Sequence, residues 1–213
     1  MTKPTNQKGY WLVLTSLLIS SILTACSTSA QEPKPLAHYE VTDIRYLMTA
    51  QDRIDTVTVP LKGASVPNAA TTLITQQVDL KTDELSKASQ FVIDADVMLP
   101  TGVDLSKLAV NVPDGPWHGT SQTHISYFAE PFPLSSERQE KPYGEYAKQI
   151  VTVSVPPKSR ININRQIDAY RINCTFRATL TNVTTGERYA LTGKWMGTLG
   201  YNNINATLTE SAL

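Results

Sequence analysis

The chain has 213 residues, of which 41% are hydrophobic, so it is long enough for one domain of moderate size with a real core. Its 19 lysines and arginines balance 19 aspartates and glutamates, which gives no electrostatic reason to expect nucleic acid as a partner. The same balance offers no polybasic patch for anionic lipid.

The first 25 residues have the pattern of an export signal that is removed from the mature protein. Lys3 and Lys8 precede an apolar run, Trp11–Leu23, that is too short to span a bilayer as a permanent helix. The segment closes on Leu-Thr-Ala-Cys26, which resembles the lipobox of bacterial lipoproteins. An ordinary signal peptide with a chance cysteine, or an uncleaved anchor, is the alternative interpretation.

The lipobox resemblance implies cleavage after residue 25, a diacylglyceryl thioether on Cys26 and an acyl chain, such as palmitate, on the new N-terminus. Two or three chains hold a protein on a membrane far better than one. Residues 26–37 are small, polar and proline-containing, which predicts a flexible tether. In bacteria with two membranes, an aspartate after the acylated cysteine favours the inner membrane. Ser27 stands there, so by resemblance to that rule we expect the outer membrane.

Acylation of Cys26 would leave Cys174 without a disulfide partner. Cys174 is in phase with the apolar positions Tyr170, Ile172 and Phe176 of a strand-like run. We interpret it as a small buried hydrophobic residue rather than a reactive thiol.

Residues 38–213 predict a single all-β domain, built as elongated antiparallel sheets or a β-sandwich with long twisted strands. No stretch shows helical periodicity over three turns, whereas period-two alternation recurs. Strands are predicted at 38–50, 54–61, 71–80, 90–99 and 150–155. Residues 62–70 and 81–87 are predicted as loop and polar connector, and 206–213 as a frayed tail.

The apolar phase changes along the longest predicted strand. Ile161, Ile163 and Ile167 occupy odd positions, whereas the apolar residues from Tyr170 onward occupy even ones. A slip of one residue turns every side chain to the other face, so we expect a bulge or twist near 166–169. Such a strand can leave one sheet and join another.

The C-terminal third closes with a predicted hairpin. Residues 182–187 read as a turn, and 189–195 as its second arm. Gly193 and Gly197 predict bulges or a close approach of backbones.

Two sequence elements together resemble those of a toxin family. They are Val-Pro156-Pro157 ahead of a long strand, within 149–163, and the later Gly193-Lys-Trp-Met-Gly197. The chain resembles the C-terminal half of aerolysin-like β-pore-forming toxins of the epsilon-toxin/mosquitocidal-toxin branch, over roughly 65–205. The competing interpretation is an unrelated β-sandwich in which the proline pair only ends a pairing.

The resemblance implies an aerolysin-like fold, membrane binding, side-by-side oligomerisation and a barrel to which each subunit adds one hairpin. It places that hairpin in a loop excursion, 113–147. Residues 119–128 alternate in part, but a spanning strand needs about 9–11 residues and the return arm is missing. Pore formation and a non-lytic envelope lipoprotein that binds a partner both stay open.

Either function predicts a contact loop for membrane or partner within the excursion. Packing beneath the loop is the alternative role for its large side chains. The residues concerned are Trp117, Ile125, Tyr127, Phe128 and Phe132.

Patterns of catalysis and metal binding are missing from the sequence. No G-x-S-x-G, H-E-x-x-H, P-loop or dinucleotide fingerprint occurs. His118 and His124 with Asp114 are too few ligands for a metal, and Asp94 and Asp96 lack EF-hand spacing. We therefore expect no enzyme activity, cofactor or metal. The expected partners are membrane lipid through the acylated cysteine, further copies of the chain, or an envelope protein.

Overall fold

The computed structural model describes residues 38–115, 124–125, 128–143 and 149–213. The predicted signal and tether, residues 1–37, lie outside this part. The strands are β1 (Tyr39–Leu47), β2 (Arg53–Asn68), β3 (Ile74–Leu80), β4 (Ser86–Ile93), β5 (Ala109–Pro113), β6 (His124–Ile125), β7 (Phe128–Pro133), β8 (Gln139–Pro142), β9 (Gln149–Val155), β10 (Ser159–Asn182) and β11 (Arg188–Ala212). All pair antiparallel, so the predicted all-β class is confirmed.

A long hairpin, β10–β11, is the frame of the largest sheet. Its pairing runs from Ser159 opposite Ala212 to Thr181 opposite Arg188. The sheet has the order β6-β1-β10-β11-β4-β8, and β2 takes over from β1 along the same edge of β10. The prediction of a frayed tail is wrong, because residues 206–212 supply the backbone partners of 159–165.

β10 changes the face that it buries about half-way along its length. Its buried residues are at odd positions from Ser159 to Ala169 and at even positions from Ile172 to Asn182. Successive side chains of a strand point to opposite faces, and the extra residues that shift the register lie in the partners of β10. The two ends of β10 therefore bury opposite faces of the sheet.

The predicted phase switch is confirmed, but the bulge lies in the partner strand. Asn203 and Ile204 of β11 together oppose Ile167, and Asn203 has a φ of 55°. β10 itself continues in one sheet instead of moving to another.

Two large hydrophobic cores result, one on each face, and Leu61, Leu85 and Ile167 form a third, smaller cluster among the described residues. The aromatic core joins the large sheet to the two-stranded sheet β5–β7; its rings come from Tyr46, Phe91, Phe132, Phe176 and Trp195. The aliphatic core joins β2, β10 and β11 to a second two-stranded sheet, β3–β9, hereafter the cover sheet. Its buried members are Val66, Leu80, Val153, Val155, Ile161 and Ile163.

Several local predictions were wrong because pairing partners lie far away in sequence. Residues 62–68, predicted as loop, continue β2 beside β10. The strand predicted at 90–99 begins and ends earlier, at Ser86–Ile93, and a turn at 95–96 follows. The described residues of 113–147 are no free excursion, since β7 pairs with β5 and β8 pairs with β4.

Candidate functional site: the cover sheet

The cover sheet is a small amphipathic element laid on the long strands. It pairs Ile74 opposite Val155 through to Leu80 opposite Gln149. Its inner side contributes aliphatic side chains to the aliphatic core. Its outer side is polar and exposed, with Thr75 and Ser154 directly opposite each other, apart from Ile150, which is 57% exposed. The sheet thus combines an apolar inner face with a water-facing outer face.

A buried amide fastens one end of the cover sheet. The side chain of Asn68, at the end of β2, donates from Nδ2 to the carbonyl oxygens of Thr72 at 2.8 Å, Val155 at 2.9 Å and Pro156 at 3.0 Å. Its Oδ1 accepts from the backbone N–H of Ala70 at 3.0 Å. Asn68 therefore ties the β2–β3 connection to the turn between β9 and β10.

The Val-Pro-Pro element forms that turn. Pro156 and Pro157 end β9, and Lys158, with a φ of 55°, starts the return into β10. Proline fixes φ and supplies no donor, so the pair ends the β3–β9 ladder, as predicted. The carbonyl oxygen of Pro156 also accepts from the hydroxyl of Ser159 at 3.0 Å.

The Gly-Lys-Trp-Met-Gly motif lies in the aromatic core. The Trp195 indole is fully buried, and its Nε1–H donates to Ser89 Oγ at 2.9 Å. A Cβ on Gly197 would collide with this indole ring, and one on Gly193 would collide with the carbonyl oxygen of Val92 on β4. The predicted close approach of backbones is confirmed at Gly193, whereas at Gly197 the close neighbour is the side chain of Trp195.

An acidic side chain, Asp52, joins the loop after β1 to the long hairpin. Asp52 is fully buried, and it accepts hydrogen bonds from Thr49, from the N–H and hydroxyl of Thr175, and from Lys194 Nζ at 2.7 Å. Burial by itself would raise the pKa of Asp52. The hydrogen bonds from Lys194, Thr49 and Thr175 outweigh it and lower the pKa to about 2. The carboxylate therefore stays charged, and it fixes the loop that connects β1 to β2.

The residues predicted for the contact loop are placed unevenly. Trp117 and Tyr127 lie outside the described residues, and Ile125 and Phe128 are described only as members of β6 and β7. Phe132 is fully buried in the aromatic core, so it offers no contact surface and the packing alternative is correct for it. It is buried because β7 lies against the large sheet instead of looping into solvent.

Two other side chains that the sequence analysis singled out, Cys174 and Asp114, have structural contacts within the domain. Cys174 is fully buried, and burial raises the pKa of its thiol to about 12, which confirms a hydrophobic role. Asp114 pairs with the buried Lys87, at 2.6 Å from Oδ1 to Nζ. Within the described ranges, no three or more His, Cys, Asp or Glu side chains come together as metal ligands.

Sequence reasoning missed the two polar side chains that organise the aliphatic half, Asn68 and Arg165. Arg165 did carry a signal, since it stands in the buried phase between Ile163 and Ile167. Asn68 carried none, because an asparagine in an expected loop is ordinary.

No protein-family model matches the sequence, and no curated protein matches it. Among solved structures, the parasporin-2 toxin of Bacillus thuringiensis, which recognizes cancer cells, has a TM-score of 0.50 at 14% identity, covering 82% of this chain and 75% of that chain. The lamprey immune protein has a TM-score of 0.48 at 17% identity, covering 81% of this chain and 53% of that chain. This chain thus spans about half the length of the lamprey protein.

A third similar structure is an aerolysin-like protein of Bombina maxima, with a TM-score of 0.42 at 13% identity; 82% of this chain and 99% of that chain are covered. The parasporin-2 likeness establishes an aerolysin-like fold for this chain. In the described part of the chain, no helix has the length and apolar character needed to cross a membrane.

Proposed function

We propose that the chain is a lipoprotein of the bacterial outer membrane whose aerolysin-like domain oligomerises and forms pores. The observation that carries this proposal is the cover sheet, an amphipathic two-stranded sheet laid on the long strands. Its contact with them consists of aliphatic side chains, fastened at one end by Asn68. Such an element can be exchanged for a membrane or a neighbouring subunit, although the exchange would uncover the buried charge of Arg165 on β10.

The strand edges of this half support assembly between copies. Among the described residues, β2–β10–β11 forms the aliphatic half of the large sheet, and β2 has β10 as its ladder partner. The cover sheet is likewise limited to β3 and β9. Unpaired strand edges are templates for pairing with another chain, and closure into a barrel removes them.

The test of pore formation is dye release from liposomes by the purified lipidated protein, together with a gel for heat-resistant oligomers. Asn68→Ala removes the hydrogen bonds that fasten the cover sheet, so we expect several-fold faster release. The matched control is the exposed Asn164, whose change to alanine should leave the rate unaltered. A folded monomer that releases nothing across lipid compositions, even after proteolytic nicking, would overturn the proposal.

Membrane attachment is proposed to depend on Cys26 alone. We expect cells fed an alkyne analogue of palmitate to label the wild-type chain and the Cys174→Ala variant equally. Cys26→Ala should abolish both the label and recovery in the outer-membrane fraction. Equal labelling of the Cys26 variant would rule out this attachment site.

A second candidate function is a non-lytic envelope lipoprotein that binds a partner protein. The observation that favours it is the pairing of β7 and β8 into the domain, because these strands occupy part of the segment where a membrane hairpin was expected. In that case the oligomer gel shows no ring-sized species. Crosslinking in intact cells then yields a heterologous adduct that depends on residues 116–127.

A further inference from the structure

Arg165 is a buried cation with an unusual set of hydrogen bonds. It lies on β10 and is 4% exposed. Its Nη1 donates to the carbonyl oxygens of Lys81 at 2.8 Å and Lys62 at 3.3 Å. Its Nε and Nη2 are buried and have no hydrogen-bond partner among the described residues. An unpaired buried guanidinium edge is costly, so its retention calls for a partner.

The two unpaired nitrogens of Arg165, Nε and Nη2, lie on the same edge of the guanidinium group. In a planar guanidinium, Nε–H and one Nη2–H point side by side from the same edge, the fork that binds an oxyanion through two parallel hydrogen bonds. Nη1, on the opposite side, is already held by the backbone of β2 and of the segment after β3. Arg165 is therefore fixed with its oxyanion-binding edge free.

Arg165 is one of the residues that line a pocket of about 240 Å³ between the cover sheet and the β2–β10 pair. The bulge at Lys62 and Gly63, which together oppose Asn164, forms one wall. Lys81 and two carboxylates, Asp79 and Asp83, stand on the other. The lining combines three basic side chains with two acidic ones, an excess of one positive charge.

We propose that this pocket binds a phosphate-type oxyanion on the Nε–Nη2 edge of Arg165. The carboxylate of Asp83 on the wall favours a phosphate that carries an ammonium group nearby, as in phosphoethanolamine. Both a soluble phosphate ester and a phospholipid headgroup offer this chemistry. The inference goes beyond the proposed function and stands whether or not pores form.

The experiment follows the Nε–H resonance of Arg165 by NMR in the purified lipidated chain, held in a maltoside detergent that carries no phosphate. The resonance is assigned by its loss in Arg165→Lys. The probes are inorganic phosphate, O-phosphoethanolamine and a short-chain phosphatidylethanolamine, with a short-chain diacylglycerol as the phosphate-free control. We expect a saturable shift, at least threefold tighter for O-phosphoethanolamine than for phosphate.

Variants separate recognition from folding. Arg165→Lys keeps the charge but loses the fork, so we expect at least tenfold weaker binding by calorimetry with an unchanged circular dichroism spectrum. Arg160→Gln, an exposed arginine on the same strand, is the control and should bind like wild type. Saturation by the soluble probes identifies a soluble ester, and saturation by the lipid alone identifies a headgroup. An Arg165 resonance that no phosphate probe shifts would overturn the proposal, whatever the dye-release result.

Discussion

The two halves of the domain use the same plan with different chemistry. In each, a two-stranded sheet packs on the long hairpin, but one core holds five buried aromatic rings among its aliphatic side chains, whereas the buried members of the other are Val, Ile and Leu alone. Trp195 makes edge-to-face contacts with Tyr46 at 5.1 Å, and Phe91 does so with Phe176 at 5.2 Å. Such pairs are worth about 0.5–1.5 kcal/mol beyond burial.

Hydrogen bonds across the layers sharpen the contrast. In the aromatic half, Tyr46 donates to the carbonyl oxygen of Asn111 at 2.9 Å, joining β1 to β5 through the core. In the aliphatic half, the bonds from Asn68 lie at one end of the cover sheet. Directional contacts therefore run through the aromatic core, whereas the inner side of the cover sheet makes aliphatic contacts, with the bonds of Asn68 at one end and the bond from Arg165 to the Lys81 carbonyl oxygen beyond the other. Both halves are built on the same β10–β11 hairpin.

The largest expected effect is loss of the aromatic core. Trp195→Ala removes the central ring and leaves Ser89 without its donor, so we expect a loss of about 4 kcal/mol in the free energy of unfolding, measured in urea. The neighbouring Met196→Ala, on the other face of β11, should cost far less. Similar costs for both would mean that the aromatic core is not the fixed part.

Truncation of the aliphatic core should act locally. Val153→Ala shortens a fully buried side chain of β9, and we expect a loss of about 2 kcal/mol. Hydrogen exchange should quicken in β3 and β9 while the 172–182 part of β10 keeps its protection. Ile150→Ala, on the exposed outer side, is the control. Equally faster hydrogen exchange in both halves would contradict the proposal that they differ.

Asp52 makes the aromatic half sensitive to acid. Its pKa is lowered from 3.8 to about 2, so its contribution is complete above about pH 4 and disappears as the pH falls towards 2. The size of the shift corresponds to about 2 kcal/mol. Asp52→Asn should flatten the fall of stability between pH 4 and 2, followed by thermal unfolding. Asp55→Asn, an exposed partner of Arg53, should leave that slope intact.

The smallest effect is expected on the outer face of the cover sheet. Thr75→Val replaces an exposed hydroxyl whose partner is Ser154 at 3.4 Å, so stability should change by less than about 0.5 kcal/mol. Dye release is the informative measurement, because an apolar outer face would alter membrane partition without loosening the core. A large stability change would show that the outer face is packed.

Much of the fold follows from patterns that the sequence carries locally. The parity switch after Ala169, the Pro156-Pro157 turn and the burial of Cys174 each depend on neighbouring residues, and all three were predicted correctly. Residues 62–68 and 206–212 were missed because their polar alternation resembles loop. Only the backbone of β10 beside them makes them strands.

The candidate site was less predictable for the same reason. A contact role for Phe132 followed from its place among the aromatic residues of the predicted loop excursion, but β5 gives β7 a pairing partner, and the ring is buried. The cover sheet joins segments from the two ends of the domain, Ile74–Leu80 and Gln149–Val155. Neither segment alone indicates which strand it will meet.

The order of the strands also has a consequence for biogenesis. β1 and β2 both pair with β10, and β3 pairs with β9, so the N-terminal strands find their partners near the end of the chain. Synthesis delivers the N-terminal strands first, and pairings between distant segments carry a large loop-closure entropy. The strands β1, β2 and β3 therefore keep unpaired edges until β9 and β10 have been made. This interval is when the chain is most exposed to aggregation through its strand edges.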